Sequence, residues 1–467
     1  MLNAAHWWKL YALGGAVMLL ALGFYPVGEE AIFPIVTLEM WQRGAWFNQF
    51  LYGLDALHNP LLNWIIAPVA QLMGWTHVLA ATRLVTIAAT LGTGGVLAWL
   101  VKRLSGNSDW AALAGLCFLS FFDVLCYHGW LGYADPSFGF FIFSAVALLW
   151  VAAREHRWGL LALSVLAISL GFLVKAQTAY IFYATAIFVL LFRRETRTFL
   201  LRPASLLLLL AAFVLPLVWY AVLPHGTSQG GRMAGEILAK LSGNGLLNYV
   251  RKLTIYPLEI LLGLFPTAWL AIWLAVRHRT QVVAAAPEWM RTGAWMALLM
   301  SLPYWIAPQG GVRYLIPVYP LFALLAAGVL WQAGDVWLQR TRRGINGVLA
   351  LQAIIFVGLL PYYQSHYRGE NYLVTAREVQ QIAQTQPIYS DDTTAAGLNI
   401  VLFLDMLRYP QTAIQYPPKQ WEQGFMLTRT ADLSAGRVLK TYQLGGDQVF
   451  LLCRGTACPA TNLNPTP

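Results

Sequence analysis

Residues 26–60 read PVGEEAIFPIVTLEMWQRGAWFNQFLYGLDALHNP. They follow an uncharged apolar run from Tyr11 to Tyr25. Two adjacent carboxylates, Glu29 and Glu30, therefore stand where a membrane span would leave the bilayer. Trp41, Trp46, Phe47, Phe50 and Tyr52 come next, a density of aromatic rings that suits the headgroup zone. The expected arrangement is an acidic pair at the membrane surface with an amphipathic helix lying flat beneath it. The simpler reading is that the pair opens a helix, where the helix dipole favours carboxylates.

The composition around this stretch is that of a polytopic α-helical membrane protein. Of 467 residues, 58% are hydrophobic and only 11% charged, far from a soluble domain. A span needs roughly 20 apolar residues. About eleven such stretches can be drawn, at 9–26, 78–101, 109–127, 136–152, 158–174, 178–192, 204–223, 255–276, 292–307, 314–331 and 345–361. The first lacks a small-x-small cleavage site, so it reads as a span and not as a signal peptide. The formal charge of +10 comes as short basic clusters between spans, which argues against a nucleic-acid partner. The four cysteines have no metal-ligand spacing. Cys453 and Cys458 would pair if their end of the chain lies outside the cytoplasm.

Basic residues set the expected orientation. Lys9, Lys102–Arg103, Arg154 with Arg157, the arginines at 193, 194, 197 and 202, those at 277, 279 and 291, and those at 340, 342 and 343 fall at every second loop. The acidic loop and everything beyond about residue 362 then face the periplasm. Residues 1–361 read as a membrane domain, with juxtamembrane helices in 26–77 and a mobile Gly-, Ser- and Asn-rich loop at 224–254. Residues 362–467 read as a small periplasmic α/β domain. Its expected elements are helices at 372–384 and 396–407, and strands at 388, 424–428 and 448–453.

Ionisable groups at the edges of spans are costly and tend to be paired or functional. Asp135 lies in YHGWLGYADPSF, where Asp before Pro also starts turns and caps helices. Arg83 in AATRLVT and Lys175 in GFLVKAQ have snorkelling as their plainer explanation. Arg313 lies in QGGVRYLIPVYP, beside two glycines that let the backbone approach a ligand. His58 lies in DALHNPLLNW, and Arg232 and Lys240 lie in the long outer loop.

The acidic pair after span one, the E-M-x-x-x-G-x-W run from Glu39 to Trp46 and the Pro60-Leu61 step together resemble the first external loop of the GT-C glycosyltransferases that use polyprenyl-phosphate sugars. The nearest types are the bacterial aminoarabinose transferases and the protein O-mannosyltransferases. The Gly171–Ala176 segment is similar to the G-x-L-x-K-G element of the former, with Ala176 in place of Gly. R-Y-x-x-P-x-x-P, here Arg313 to Pro320, also recurs there. Two departures stand out: His58-Asn59-Pro60 replaces Lys-Pro-Pro, and Glu29-Glu30 replaces Asp-Glu. The likeness covers roughly residues 10–335 and not the tail.

The resemblance implies a GT-C fold of about 11 transmembrane helices. It also implies transfer of a sugar, with inversion, from a polyprenyl-phosphate-linked donor to a lipid A-like lipid, a glycan or a protein, at the periplasmic face of a bacterial inner membrane. Glu29, with Asp135 and Glu30, would be catalytic. Lys175, Arg83, Arg313 and His58 would bind the donor phosphate, and Arg232, Lys240 and Tyr314 would serve the acceptor. No cofactor is required, although the acidic groups could hold a divalent metal. Competing readings are a lipid or sugar transporter or flippase, or an oligosaccharide ligase. Charges gathered on one face, and no inverted repeat, disfavour the transporter.

Overall fold

The computed structural model describes residues 3–56, 59–175, 177–222, 245–278, 286–308, 310–432 and 436–458. The chain divides into two compact units. One comprises Met1–Leu19, Leu57–Leu61 and Thr86–Ala353, the other Leu20–Ala56, Leu62–Val85 and Ile354–Pro467.

The first unit is helical, and Ala134–Glu155 lies at its centre. This is the most thoroughly buried of the candidate spans, with 83% of its apolar window inside the protein. Small residues let its neighbours approach. A Cβ on Gly171 of the Trp158–Val174 helix would meet Ile142 Cδ1 at 2.8 Å, and one on Gly139 would meet Ile316 Cγ2 at 3.0 Å. These contacts fix where the ends of the helices, and so their charged residues, come together.

Helices occupy all eleven of the expected stretches, but not as eleven full-length spans. Among the described residues, five helices are long and apolar enough to cross a membrane: Trp75–Ser105, Ala134–Glu155, Pro203–Ala221, Val312–Gln332 and Asp335–Tyr367. The stretches at 109–127, 158–174 and 178–192 hold the shorter helices Ser108–Leu119, Trp158–Val174 and Ala179–Leu191. The expected span at 255–276 is two helices, Leu246–Gly263 and Thr267–Arg277, bent by 105°. Pro266 separates them and has no N–H to carry the ladder across. Residues 246–254, read as the end of an outer loop, are helical as well. Residues 224–244 of that loop lie outside the described residues.

The second unit contains the acidic stretch. Its helix Ile32–Arg43 is not a flat amphipathic surface helix. Every residue from Phe33 to Met40 is buried, the pattern of a helix packed on all sides. Its polar residues are satisfied internally. Thr37 Oγ1 donates to Asn63 Oδ1 at 2.9 Å, and Glu39 accepts the backbone N–H groups of Tyr52 and Gly53 at 2.6 and 2.9 Å. Gly44, at φ 64°, ends the helix. A two-strand ribbon, β1 (Phe50–Leu51) and β2 (Leu54–Asp55), follows.

The tail of this unit is a four-stranded sheet ordered β3-β4-β6-β5, from β3 (Ile388–Ser390), β4 (Gly424–Thr428), β5 (Arg437–Leu444) and β6 (Asp447–Arg454). β3 and β4 are parallel, with Ile388 opposite Phe425, and the remaining pairs are antiparallel. Trp421, Met426 and Leu452 form a small apolar core. The helices Tyr372–Ala383 and Ala395–Arg408 lie close to the expected positions. β5 was not expected from sequence. It is an edge strand with a register break between Val438 and Lys440, which erases the alternation that marks a strand. Cys453 and Cys458 are joined in a disulfide.

Candidate active site

The acidic pair splits into two environments. Glu30 and Arg83 are both fully buried. Arg83 Nε donates to Glu30 Oε1 and Nη2 to Glu30 Oε2, each at 2.7 Å. Nη1 donates to the carbonyls of Ala21 and Phe24 at 2.7 and 2.8 Å, and Nη2 to that of Tyr25 at 3.1 Å. A guanidinium has five N–H donors, and these five bonds use all of them. Glu30 Oε2 also accepts the Val27 N–H at 3.0 Å. Arg83 thus braces the loop after the first helix and has no donor left for a phosphate. Its expected donor-phosphate role does not fit this geometry, nor does a catalytic role for Glu30, which is its counter-ion. Glu29 is exposed, and its carboxylate has no hydrogen bond or ion pair among the described residues.

In the other unit, four of the residues singled out in the sequence come together. Asp135 lies in the first turn of Ala134–Glu155, buried, where the helix dipole favours a carboxylate. Lys175 follows directly on the helix Trp158–Val174, and its ammonium pairs with Asp135 Oδ1. The same ammonium lies 4.6 Å from the centroid of the Tyr314 ring and 5.7 Å from that of Phe138. On the other side, the Arg313 guanidinium lies 5.5 Å from the Tyr314 ring and interacts electrostatically with Asp135. Arg313 itself is exposed. Tyr314, expected on the acceptor side, instead supports both cations with its π-face. Its ring packs on Tyr304, and Tyr304 stacks on Phe182 at 5.2 Å.

Lys175 does not merely snorkel. Lys175 is only 27% exposed and bonded to a carboxylate, so two positive charges and one negative one share a small site whose net charge is positive. Such a site attracts an anion. Asn59 donates to the carbonyl of Phe172 at 2.8 Å, which ties Asn59 to the end of the helix leading into Lys175. His58 itself, with Arg232 and Lys240, lies outside the described residues. No group of three or more His, Cys, Asp or Glu able to hold a metal occurs among the described residues.

Two polar arrangements were not read from the sequence. Asp123 accepts from Tyr319 Oη at 2.8 Å and lies 2.7 Å from His128 Nδ1. The signal was an aspartate at the edge of an apolar run, hidden because its partner tyrosine comes 196 residues later. Lys252 donates to the carbonyls of Tyr304 and Trp305 at 2.7 and 2.9 Å and to that of Ala307. It caps the helix Glu288–Ile306, as lysines do at C-termini.

Residues 57–220 match the family model described as dolichyl-phosphate-mannose-protein mannosyltransferase. The fold is similar to that of ArnT from Cupriavidus metallidurans bound to undecaprenyl phosphate, with a TM-score of 0.71, 14% identity, and coverage of 97% of this chain and 99% of that one. ArnT from the same organism in the apo state gives a TM-score of 0.66 at 15% identity, over 98% and 100% of the two chains.

Proposed function

We propose that this chain is a glycosyltransferase of the GT-C type, as its match over residues 57–220 and its fold support, and that it moves a sugar from a polyprenyl-phosphate donor to an acceptor at the periplasmic face of a bacterial inner membrane. The observation that carries the proposal is the Asp135, Lys175, Arg313 and Tyr314 cluster. It gathers two cations from distant parts of the chain around one aromatic platform and one buried carboxylate.

Breaking the bond between sugar and phosphate leaves a polyprenyl phosphate whose negative charge grows along the reaction. Cations aimed at that charge lower the barrier because they stabilise the transition state more than the ground state. Lys175 and Arg313 take this role. Asp135 holds the Lys175 ammonium in place and keeps the resting site from being too positive. Glu29, exposed and without a partner among the described residues, accepts or orients the proton of an acceptor hydroxyl. Direct displacement inverts the anomeric carbon. An acceptor that is already anionic, such as a lipid phosphate, needs no strong base, and Glu29 then only orients it. Arg83 and Glu30 hold the loop and stay out of the chemistry. His58 at the donor phosphate, and Arg232 and Lys240 toward the acceptor, complete the proposal on sequence grounds.

The acceptor class is a lipid A-like lipid, a glycan or a protein. Mass analysis of envelope lipids and glycans from cells with and without this protein tests the proposal. A sugar-bearing product should vanish with the protein and return with the wild-type chain but not with Lys175→Ala. Identical envelopes in the two strains would refute it.

A further inference from the structure

The acidic loop has little regular structure of its own. Between the short helical turn at Leu20–Gly23 and the helix starting at Ile32, its backbone must find partners elsewhere. Arg83 takes the carbonyls of Ala21, Phe24 and Tyr25. Two more bonds come from the C-terminal part of the same compact unit. Gln364 Nε2 donates to the Tyr25 carbonyl at 3.1 Å, and Asn399 Nδ2 donates to the Gly28 carbonyl at 3.2 Å. Gly28, at φ 58°, makes the turn immediately before Glu29.

Both carboxamides are buried. Asn399 is fully buried in the Ala395–Arg408 helix, among Leu398, Ile400, Val401 and Leu402. Gln364 is 3% exposed. Each leaves its carboxamide oxygen buried with no hydrogen-bond partner among the described residues, a destabilising arrangement. Gln364 also hydrogen-bonds the Glu370 side chain and Asn399 the Tyr372 hydroxyl, so each carboxamide joins the loop to the segment that carries it. The aromatic residues agree. The Tyr25 ring meets Tyr372 and Phe403 edge-on at 6.3 and 6.0 Å, and Phe24 meets Phe356 at 5.2 Å.

We infer that the C-terminal segment 354–467 positions the acidic loop, with Asn399 and Gln364 as positioning residues that fix the backbone from which Glu29 projects. The inference rests on the reading of Glu29 as the carboxylate that meets the acceptor.

Asn399→Leu and Gln364→Leu test it in the full-length protein. Each removes the bond to the loop, and with it an unsatisfied buried oxygen and the bond to Glu370 or Tyr372, so a thermal melt first verifies that each variant is folded. The loop should loosen. The amides of Val27, Glu30 and Ile32 are bonded within it, to Glu30 Oε2, Val27 O and Glu29 O, and their hydrogen exchange should quicken about tenfold. Affinity for undecaprenyl phosphate should stay at the wild-type value. The sugar-bearing product, quantified by mass in cells lacking the native copy, should fall about tenfold, and Asn399→Leu should add nothing to Glu29→Gln. Unchanged exchange at those three amides overturns the inference. So does a fall in product that is equally large with and without Glu29→Gln. If Glu29→Gln alone leaves the product intact, the reading of Glu29 fails, and the exchange measurement still decides whether the segment holds the loop. Should Asn399→Leu not fold, Gln364→Leu carries the same comparison at Tyr25.

Discussion

Replacing Lys175 by Ala should weaken binding of undecaprenyl phosphate more than the loss of one contact accounts for, and Asp135→Asn should restore part of it. The Lys175 ammonium is bonded to Asp135 and lies 4.6 Å from the Tyr314 ring. A lost hydrogen bond to a charged group costs roughly 1.5–3 kcal/mol, or about 10- to 150-fold in affinity. The substitution also leaves the Asp135 carboxylate, 5% exposed, facing the incoming phosphate. Two like charges about 5 Å apart repel by about 3 kcal/mol at an effective dielectric constant near 20. The single variant should therefore lose at least about 100-fold. Lys175→Ala with Asp135→Asn removes the repulsion and should bind more tightly than Lys175→Ala alone. Asp135→Asn by itself frees the ammonium and should bind at least as tightly as wild type. Lipid binding to purified protein in nanodiscs, with a thermal melt to verify folding, measures all four. Wild-type affinity in Lys175→Ala would refute the phosphate site. An equal loss in the single and double variants would refute the role given to Asp135.

Glu29→Gln should leave folding unchanged, because the side chain is exposed, and should cut transfer to a hydroxyl acceptor at least ~100-fold. Full product with Glu29→Gln would refute the role given to Glu29. Arg83→Met should destabilise the fold by roughly 3–5 kcal/mol, because it strands the buried Glu30 carboxylate, and this should appear as lost folded protein; a folded variant with weakened lipid binding alone would return Arg83 to the phosphate site. Burial raises the Asp405 carboxyl well above the ordinary carboxylate range while it accepts the Ile414 N–H. Its stabilisation is then full below the unfolded value of about 4 and is lost as pH rises through the raised one, so the melting temperature of Asp405→Asn should gain on wild type as pH rises above about 4. A constant gap would show that Asp405 is ionised in the folded state. A reporter active only in the periplasm, fused after residue 467, should be active; activity from a cytoplasmic reporter there would reverse the orientation.

The fold class was legible because span-length apolar runs and recurrent basic clusters are properties of composition and order, and tertiary contacts do not alter them. Lys175, Asp135 and Arg313 were legible for a related reason. A charge at the end of an apolar helix has few places to go, and the three helix ends that carry these residues are drawn together by close packing at Gly139 and Gly171. What sequence could not supply was the partner of each charge. Arg83 looked like a phosphate ligand for the same reason Lys175 did. Only the five bonds around its guanidinium separate a cation that is spent from one that is available. The pair Glu29-Glu30 divides in the same way. In sequence its two members are interchangeable, but one points into the protein against Arg83 and the other outward. Side-chain direction in a loop without helical or strand periodicity is set by what the backbone is tied to, and here the ties come from Arg83, Gln364 and Asn399, between 53 and 371 residues away. The same holds for Ile32–Arg43. Its aromatic flanks suggested a surface helix, yet Asn63 and the Tyr52–Gly53 turn satisfy its polar groups from inside the unit. A helix whose polar groups are met internally gains nothing by facing a membrane surface.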